Sequence, residues 1–284
     1  MKWTNERGGN VEDRRGMSRR TVGGIGIGTL LIAAVIYFMG GDPRGILEQS
    51  QSQTVQTQER ELSQQEKETG ELVQMLDAWN TKTWEQIFME KGAQYRPAKI
   101  VMFSEATQSG CGSAQTSMGP FYCPADETIY VDMSFFSQVL TRFGAETTQF
   151  AIAYVLAHEN GHHVQHLMGT LGQQEQMRRS GRYSEEQLNQ VSVAVELQAD
   201  FYAGYWAKRN NERVQGGVLE PGDIESAVQA AAAVGDDNIQ KRTQGYVNQE
   251  AFTHGTSKQR VDWFVKGYKA SDINEGDTFN AVLR

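Results

Sequence analysis

The sequence predicts a helix-rich α+β domain with a small β-sheet, preceded by one N-terminal transmembrane helix, and three features lead there. Apolar stripes at helical spacing dominate beyond residue 70, and two short runs rich in β-branched and aromatic residues read as strands. Near the N-terminus, one uncharged stretch is long enough to span a bilayer. Mean hydropathy of −0.54 excludes a chain that crosses a membrane many times, while 39% hydrophobic residues exclude wholesale disorder. The net charge of −8 argues against a nucleic-acid binder, which needs a broad basic face.

In chain order, residues 1–20 hold six basic side chains (Lys2, Arg7, Arg14, Arg15, Arg19, Arg20) against three acidic ones (Glu6, Glu12, Asp13). Residues 21–39 carry no charge, and 19 residues at 1.5 Å each make about 28 Å, close to the hydrocarbon thickness. The apolar run is too long for a cleavable signal peptide and no small-x-small cleavage site follows it. The positive-inside rule then predicts a cytoplasmic 1–20, a lipid-contacting span at 21–39, and an external or periplasmic remainder. Residues 40–70 contain Gln49, Gln51, Gln53, Gln56, Gln58, Gln64 and Gln65 and read as a stalk. A coiled coil is the rival, although no apolar seam runs through it.

Residues 71–284 have globular texture. Leu72, Met75, Leu76 and Trp79 form a helical stripe continued by Trp84, Ile87 and Phe88. Lys99–Phe103 and Thr128–Met133 read as strands, and Ile129–Met133 is a candidate for pairing with an extended substrate. Between them lie the only cysteines, Cys111 and Cys123, which outside the cytoplasm are expected to form a disulfide. A catalytic or metal-binding pair is the alternative, without CxxC spacing to support it.

Four of the five histidines crowd into LAHENGHHVQHL, behind an apolar run that makes this segment a buried helix. His158 and His162 are one turn apart on one face, the spacing with which two imidazoles close on a single divalent ion, and Glu159 is placed to take a proton from metal-bound water. This is the HExxH pattern of zincin-like domains. His166 lies about 12 Å along the axis from His158, too far to share the ion. The metzincin extension fails because Gln165 and Met168 stand where glycine and histidine are required. Ser184 to Lys208 reads as a second helix, opened by a capping box of Ser184 with Gln187. On it, Glu196 is the natural third ligand and Asp200 the carboxylate that fixes the tautomer of His158. Ser192 and Ala203 are small enough to permit close approach of the two helices. His163, Tyr202, Trp206 and Trp263 read as core or cleft wall.

HExxH followed by ExxxD resembles the gluzincin arrangement of thermolysin-type and CAAX-type metalloproteases, with Val195 in place of the asparagine that precedes the thermolysin-type glutamate. The segments KWTNERGGNVEDRRG, GPFYCPADETIYVDMSFF, HENGHHVQ, ELQADFYAG, AAAAVGDDNIQ and FTHGTSKQRVDWF together resemble the bacterial predicted neutral zinc metallopeptidase family over nearly the whole chain. The resemblance implies a metallopeptidase fold with one zinc ion per chain and a peptide or protein substrate; with the span at 21–39 the expected location is the bacterial inner membrane. THGTSKQR is similar to a segment near the CAAX-type cleft, with Gly255 in place of proline. By that likeness His254 is a candidate catalytic donor to the oxyanion or else a loop histidine, and Arg260 a tether for an acidic group that shapes the site or else a helix-end arginine, the reading favoured for it. The expected function is a membrane-anchored zinc metalloendopeptidase. The alternative is a membrane-tethered binding or chaperone-like protein with a structural zinc site.

Overall fold

A computed structural model describes residues 1–18 and 58–283, and divides them between two units, Met1–Asp13 with Glu66–Arg284, and Arg14–Gln65. The expected membrane span and most of the stalk lie outside the described residues. No helix among the described residues is long and apolar enough to cross a membrane.

Strand β1 (Val11–Asp13) belongs to the larger unit. In the smaller one, β2 (Met17–Ser18) and β3 (Gln58–Glu59) pair antiparallel, with Ser18 opposite Gln58. Helix α1 (Gln64–Glu90) buries Leu72, Met75, Leu76, Trp79, Trp84 and Ile87, the predicted stripe, and begins inside the expected stalk. Strand β4 (Lys99–Phe103) is followed by the hairpin β5 (Ala106–Ser109) and β6 (Gly112–Gln115), then by β7 (Phe121–Cys123) and β8 (Thr128–Asp132). The main sheet has the order β1-β4-β8-β7; β1, β4 and β8 run parallel and β7 antiparallel.

Two sequence expectations need correction here. The first concerns residues 1–13, which are not a separate basic segment. Val11, Glu12 and Asp13 pair with Ile100, Val101 and Met102, Asn10 donates its backbone N–H to Asp77 at 3.0 Å, and Trp79 Nε1 donates to Thr4 Oγ1 at 2.9 Å. The globular unit is therefore 1–13 plus 66–284, not 71–284 alone. The second concerns β8, which lies between β4 and β7 with both edges paired and cannot receive a substrate strand; β7 is the free edge on that side.

Helix α2 (Gln149–Leu167) carries the histidines. Thr148 caps it, accepting from the Ala151 N–H at 3.0 Å, and Gly169 with φ of 84° turns the chain at its far end into α3 (Thr170–Ser180). α2 is buried on nearly every face, as a central helix with little polar surface must be. Helix α4 (Glu185–Arg213) starts at the predicted capping box and runs five residues beyond the predicted end. It is followed by α5 (Asp223–Ala233), α6 (Asp236–Gln244) and α7 (Ser257–Lys269). α2 and α4 approach closely through Gly161, where an added Cβ would lie 3.0 Å from the Ala199 carbonyl oxygen. This close approach is made by Gly161 and Ala199, the latter between the two acidic positions of α4. On the other face, Gly204 meets the Phe264 backbone of α7, with room for no Cβ at all.

Candidate metal centre

The close approach of α2 and α4 brings three side chains to one point. His158 Nε2 lies 3.2 Å from Glu196 Oε2, His162 Nε2 lies 3.5 Å from Glu196 Oε1, and the donor atoms are all within 4.8 Å of one another. Zinc holds nitrogen and oxygen donors at about 2.0–2.2 Å in a tetrahedron, whose donor–donor edges are then about 3.4 Å. The two measured spacings match that edge, so the cluster could hold such an ion. His166 is elsewhere, 3.7 Å from Glu127.

Each imidazole is oriented by a partner on its other nitrogen. Asp200 Oδ1 accepts from His158 Nδ1 at 2.9 Å, leaving Nε2 to face the cluster. Asp200 is fully buried and held by Arg260, whose Nε donates to Oδ2 at 2.8 Å, and by the Tyr154 hydroxyl, which donates to Oδ1 at 2.5 Å. Burial would raise the Asp200 carboxyl, but Arg260 and His158 outweigh it and hold it down at about 2. Arg260 thus tethers an acidic group, where the sequence favoured a plain helix-end arginine. His162 Nδ1 lies 2.9 Å from Gln165 Oε1, and the Gln165 amide is fixed in turn on the Val195 carbonyl at 2.7 Å and on Gln198 at 3.0 Å. Gln165 stood out in the sequence only as a departure from another spacing. Its helical position one turn from His162 was the available signal for this role.

Glu159 is 7% exposed, beside the two histidines, and its carboxylate accepts no hydrogen bond from the described residues. Burial raises its pKa, the direction that suits a general base near neutral pH. Burial would also raise Glu196, but the two imidazoles outweigh it and keep that carboxylate charged.

His158, Glu159, His162 and Glu196 open on one cleft of about 1080 Å³, lined also by Phe121 and Tyr122 of β7, by Arg178 of α3 and by His254. His254 Nδ1 is 3.1 Å from Asp236 Oδ1, while Asp236 Oδ2 accepts the backbone N–H groups of Thr253, His254 and Gly255. The hydrogen bond to Asp236 raises the His254 pKa against the opposing effect of burial. Sequence reasoning left Asp236 without a role because its partner is 18 residues away. Gly255 has φ of 90°, which proline cannot adopt, so this loop does not follow the T-H-P backbone to which it was likened.

His163, on the other side of α2, is buried. Its Nε2 donates to the Arg96 carbonyl at 2.6 Å, and its Nδ1 accepts from the Tyr122 hydroxyl at 3.0 Å, tying β7 to the histidine helix. Cys111 and Cys123 form the expected disulfide, which fastens the β5–β6 turn to the end of β7.

The family model described as "Putative neutral zinc metallopeptidase" matches residues 1–279, and the chain belongs to that family. It is 40% identical over the full length of both chains to the uncharacterized protein YpfJ of Escherichia coli (strain K12). It is 45% identical over 197 residues to the uncharacterized protein Rv2575 of Mycobacterium tuberculosis (strain H37Rv), covering 66% of this chain and 64% of that one. No solved structure matches the chain.

Proposed function

We propose that this member of the neutral zinc metallopeptidase family hydrolyses peptide bonds in peptide or protein substrates, with one zinc ion held by His158, His162 and Glu196. The observation that carries the reading is the trio of donors within 4.8 Å of one another, two of their spacings near a tetrahedral edge, with a buried, unengaged Glu159 beside them. Zinc, when bound there, supplies polarisation of the scissile carbonyl and a lowered pKa for water. Glu159 takes the proton of the attacking water and returns it to the leaving amine. His254, held by Asp236, donates to the developing oxyanion. The free edge of β7 offers backbone groups to an extended substrate, which gives affinity with little sequence preference. The Asp200–Arg260–Tyr154 network and Gln165 hold the two imidazoles in the tautomer that leaves Nε2 open.

A structural zinc site would use four protein ligands and close around the ion. Three donors facing an open cleft favour hydrolysis over the binding-protein alternative. The disulfide supports a location outside the reducing cytoplasm, and the uncharged residues 21–39 supply an attachment to the bacterial inner membrane.

The test separates ligand from base. His158→Ala, His162→Ala or Glu196→Ala should lose zinc and activity together. Glu159→Gln should keep about one zinc per chain while peptide turnover falls on the order of 100-fold to 10,000-fold. Undiminished cleavage by Glu159→Gln would overturn the mechanism.

A further inference from the structure

Three arginines line the cleft, and two are already neutralised: Arg179 Nε is 2.6 Å from Glu175 and Arg260 Nε is 2.8 Å from Asp200. Arg178 differs. Among the described residues its guanidinium has no carboxylate within ion-pair distance, and Nη2 donates instead to Ser192 Oγ at 2.9 Å. Ser192 is 7% exposed and doubly fixed, accepting from Gln174 Nε2 at 3.3 Å and donating to the Leu188 carbonyl at 3.0 Å. The anchor therefore fixes an exposed positive group on the cleft wall at a set position beside α4.

That position is one helical turn from Glu196, about 6 Å along the axis. Arg178, Ser192 and Glu196 line the same cleft, so the guanidinium held by Ser192 flanks the metal centre on that wall. An arginine that uses one of its five N–H groups keeps enough donors to take a carboxylate bidentately. In a protein of net charge −8, an arginine without a carboxylate partner on the cleft wall adds to the local attraction for anionic substrates.

Resting on the hydrolase reading, we propose that Arg178, positioned by Ser192, selects peptides that present a carboxylate flanking the scissile bond. That carboxylate is either an acidic side chain or the C-terminal carboxylate of a short peptide.

The experiment uses the zinc-loaded full chain and matched peptide pairs: Glu against Gln at positions flanking the cut, and free acid against amide at the C-terminus. The parent should favour the carboxylate member by about 10-fold to 100-fold in kcat/KM, as a charge-assisted hydrogen bond allows. Whichever pair discriminates identifies the source of the carboxylate. Arg178→Gln should bring that ratio to about 1, and Arg178→Glu should invert it in favour of a Lys-containing peptide, a gain that misfolding cannot produce. The same pairs are titrated against zinc-loaded Glu159→Gln protein by fluorescence anisotropy. Cleavage of both members at one rate, or a ratio unchanged in Arg178→Gln, overturns the proposal. A parent that cleaves no peptide yet binds the carboxylate member more tightly sinks the hydrolase reading and upholds the role of Arg178; no cleavage and equal binding sinks both.

Discussion

The metal centre and the N-terminal strand sit in one folded unit but are held by different physics. The donors of the centre ride on two long buried helices, and the groups that orient them, Asp200 and Arg260, are 0% and 4% exposed. The N-terminal segment adds a three-residue edge strand; the buried Asp77 and Trp79 bond to it, but its ion pairs and its Trp3 contact lie nearer the surface. Glu6 accepts from Arg213 Nη2 at 2.9 Å and from Lys82 Nζ at 2.7 Å, and Trp3 Nε1 donates to Gln149 Oε1 at 2.8 Å. A buried network fails abruptly when one member is removed, because the remaining charge has no solvent to turn to. A part-exposed one loses its members in small steps and responds to salt and pH.

The sharpest way to test that contrast is to remove one cation from each region. Arg260→Met leaves the Asp200 carboxylate buried without its main partner, and should cost about 3–5 kcal/mol in chemical denaturation. It should also weaken zinc binding, since Asp200 then orients His158 less well. Lys82→Met removes a half-exposed partner of Glu6 and should cost about 1 kcal/mol or less. Equal losses in the two variants would break the comparison.

Much of the metal centre was legible in the sequence because its information is local. Two histidines and a glutamate within one helical turn, then a glutamate and an aspartate one turn apart on a second helix, survive any arrangement of the rest. The partners that aim those groups were harder to read. Asp236 lies 18 residues from His254, and Tyr154 was visible only as part of an apolar run before it met Asp200. Strand order is less local again. β8 has the composition of a substrate-pairing strand, but whether it has a free edge depends on where β7 goes. β1 is the extreme case, a polar triplet whose partner lies some 90 residues on, inside a segment notable in the sequence mainly for its charge.

A gentler probe of the N-terminal contacts is pH. The hydrogen bond from Arg213, helped by Lys82 and opposed by burial, lowers the Glu6 pKa from its ordinary 4.5 to about 2. A carboxyl depressed on folding stabilises the folded state fully above 4.5 and loses that contribution as pH falls toward 2. The stability gap between the parent and Glu6→Gln should therefore be constant from pH 7 to about 5 and shrink below 4.5. A gap that stays flat to pH 3 would mean that the ion pairs contribute nothing to holding the segment. The corresponding change in the Asp200 network, where the pKa is also about 2, should be masked until the same acid range.

The last probe should leave stability unchanged and still decides the most. The positive-inside reading separates residues 1–20 from the remainder by a one-way crossing at 21–39, a distance of about 30 Å. Paired strands stand about 4.8 Å apart. β1 is paired with β4, and Ser18 is opposite Gln58, so both pairings require residues 1–18 and 58–283 to share one side of any bilayer. The disulfide supports the external side for the larger part, whereas the basic flank argues for the cytoplasmic side of the smaller part. These cannot all hold in one molecule. Gly9 is exposed, with nothing within 4 Å of an added Cβ, and Lys258 is 82% exposed. Gly9→Cys and Lys258→Cys, made separately, should react alike with a membrane-impermeant maleimide on intact cells: both labelled or both protected. Labelling of position 258 with protection of position 9 would show that the strand pairing does not form in the membrane-bound protein, and that the sheet begins at β4.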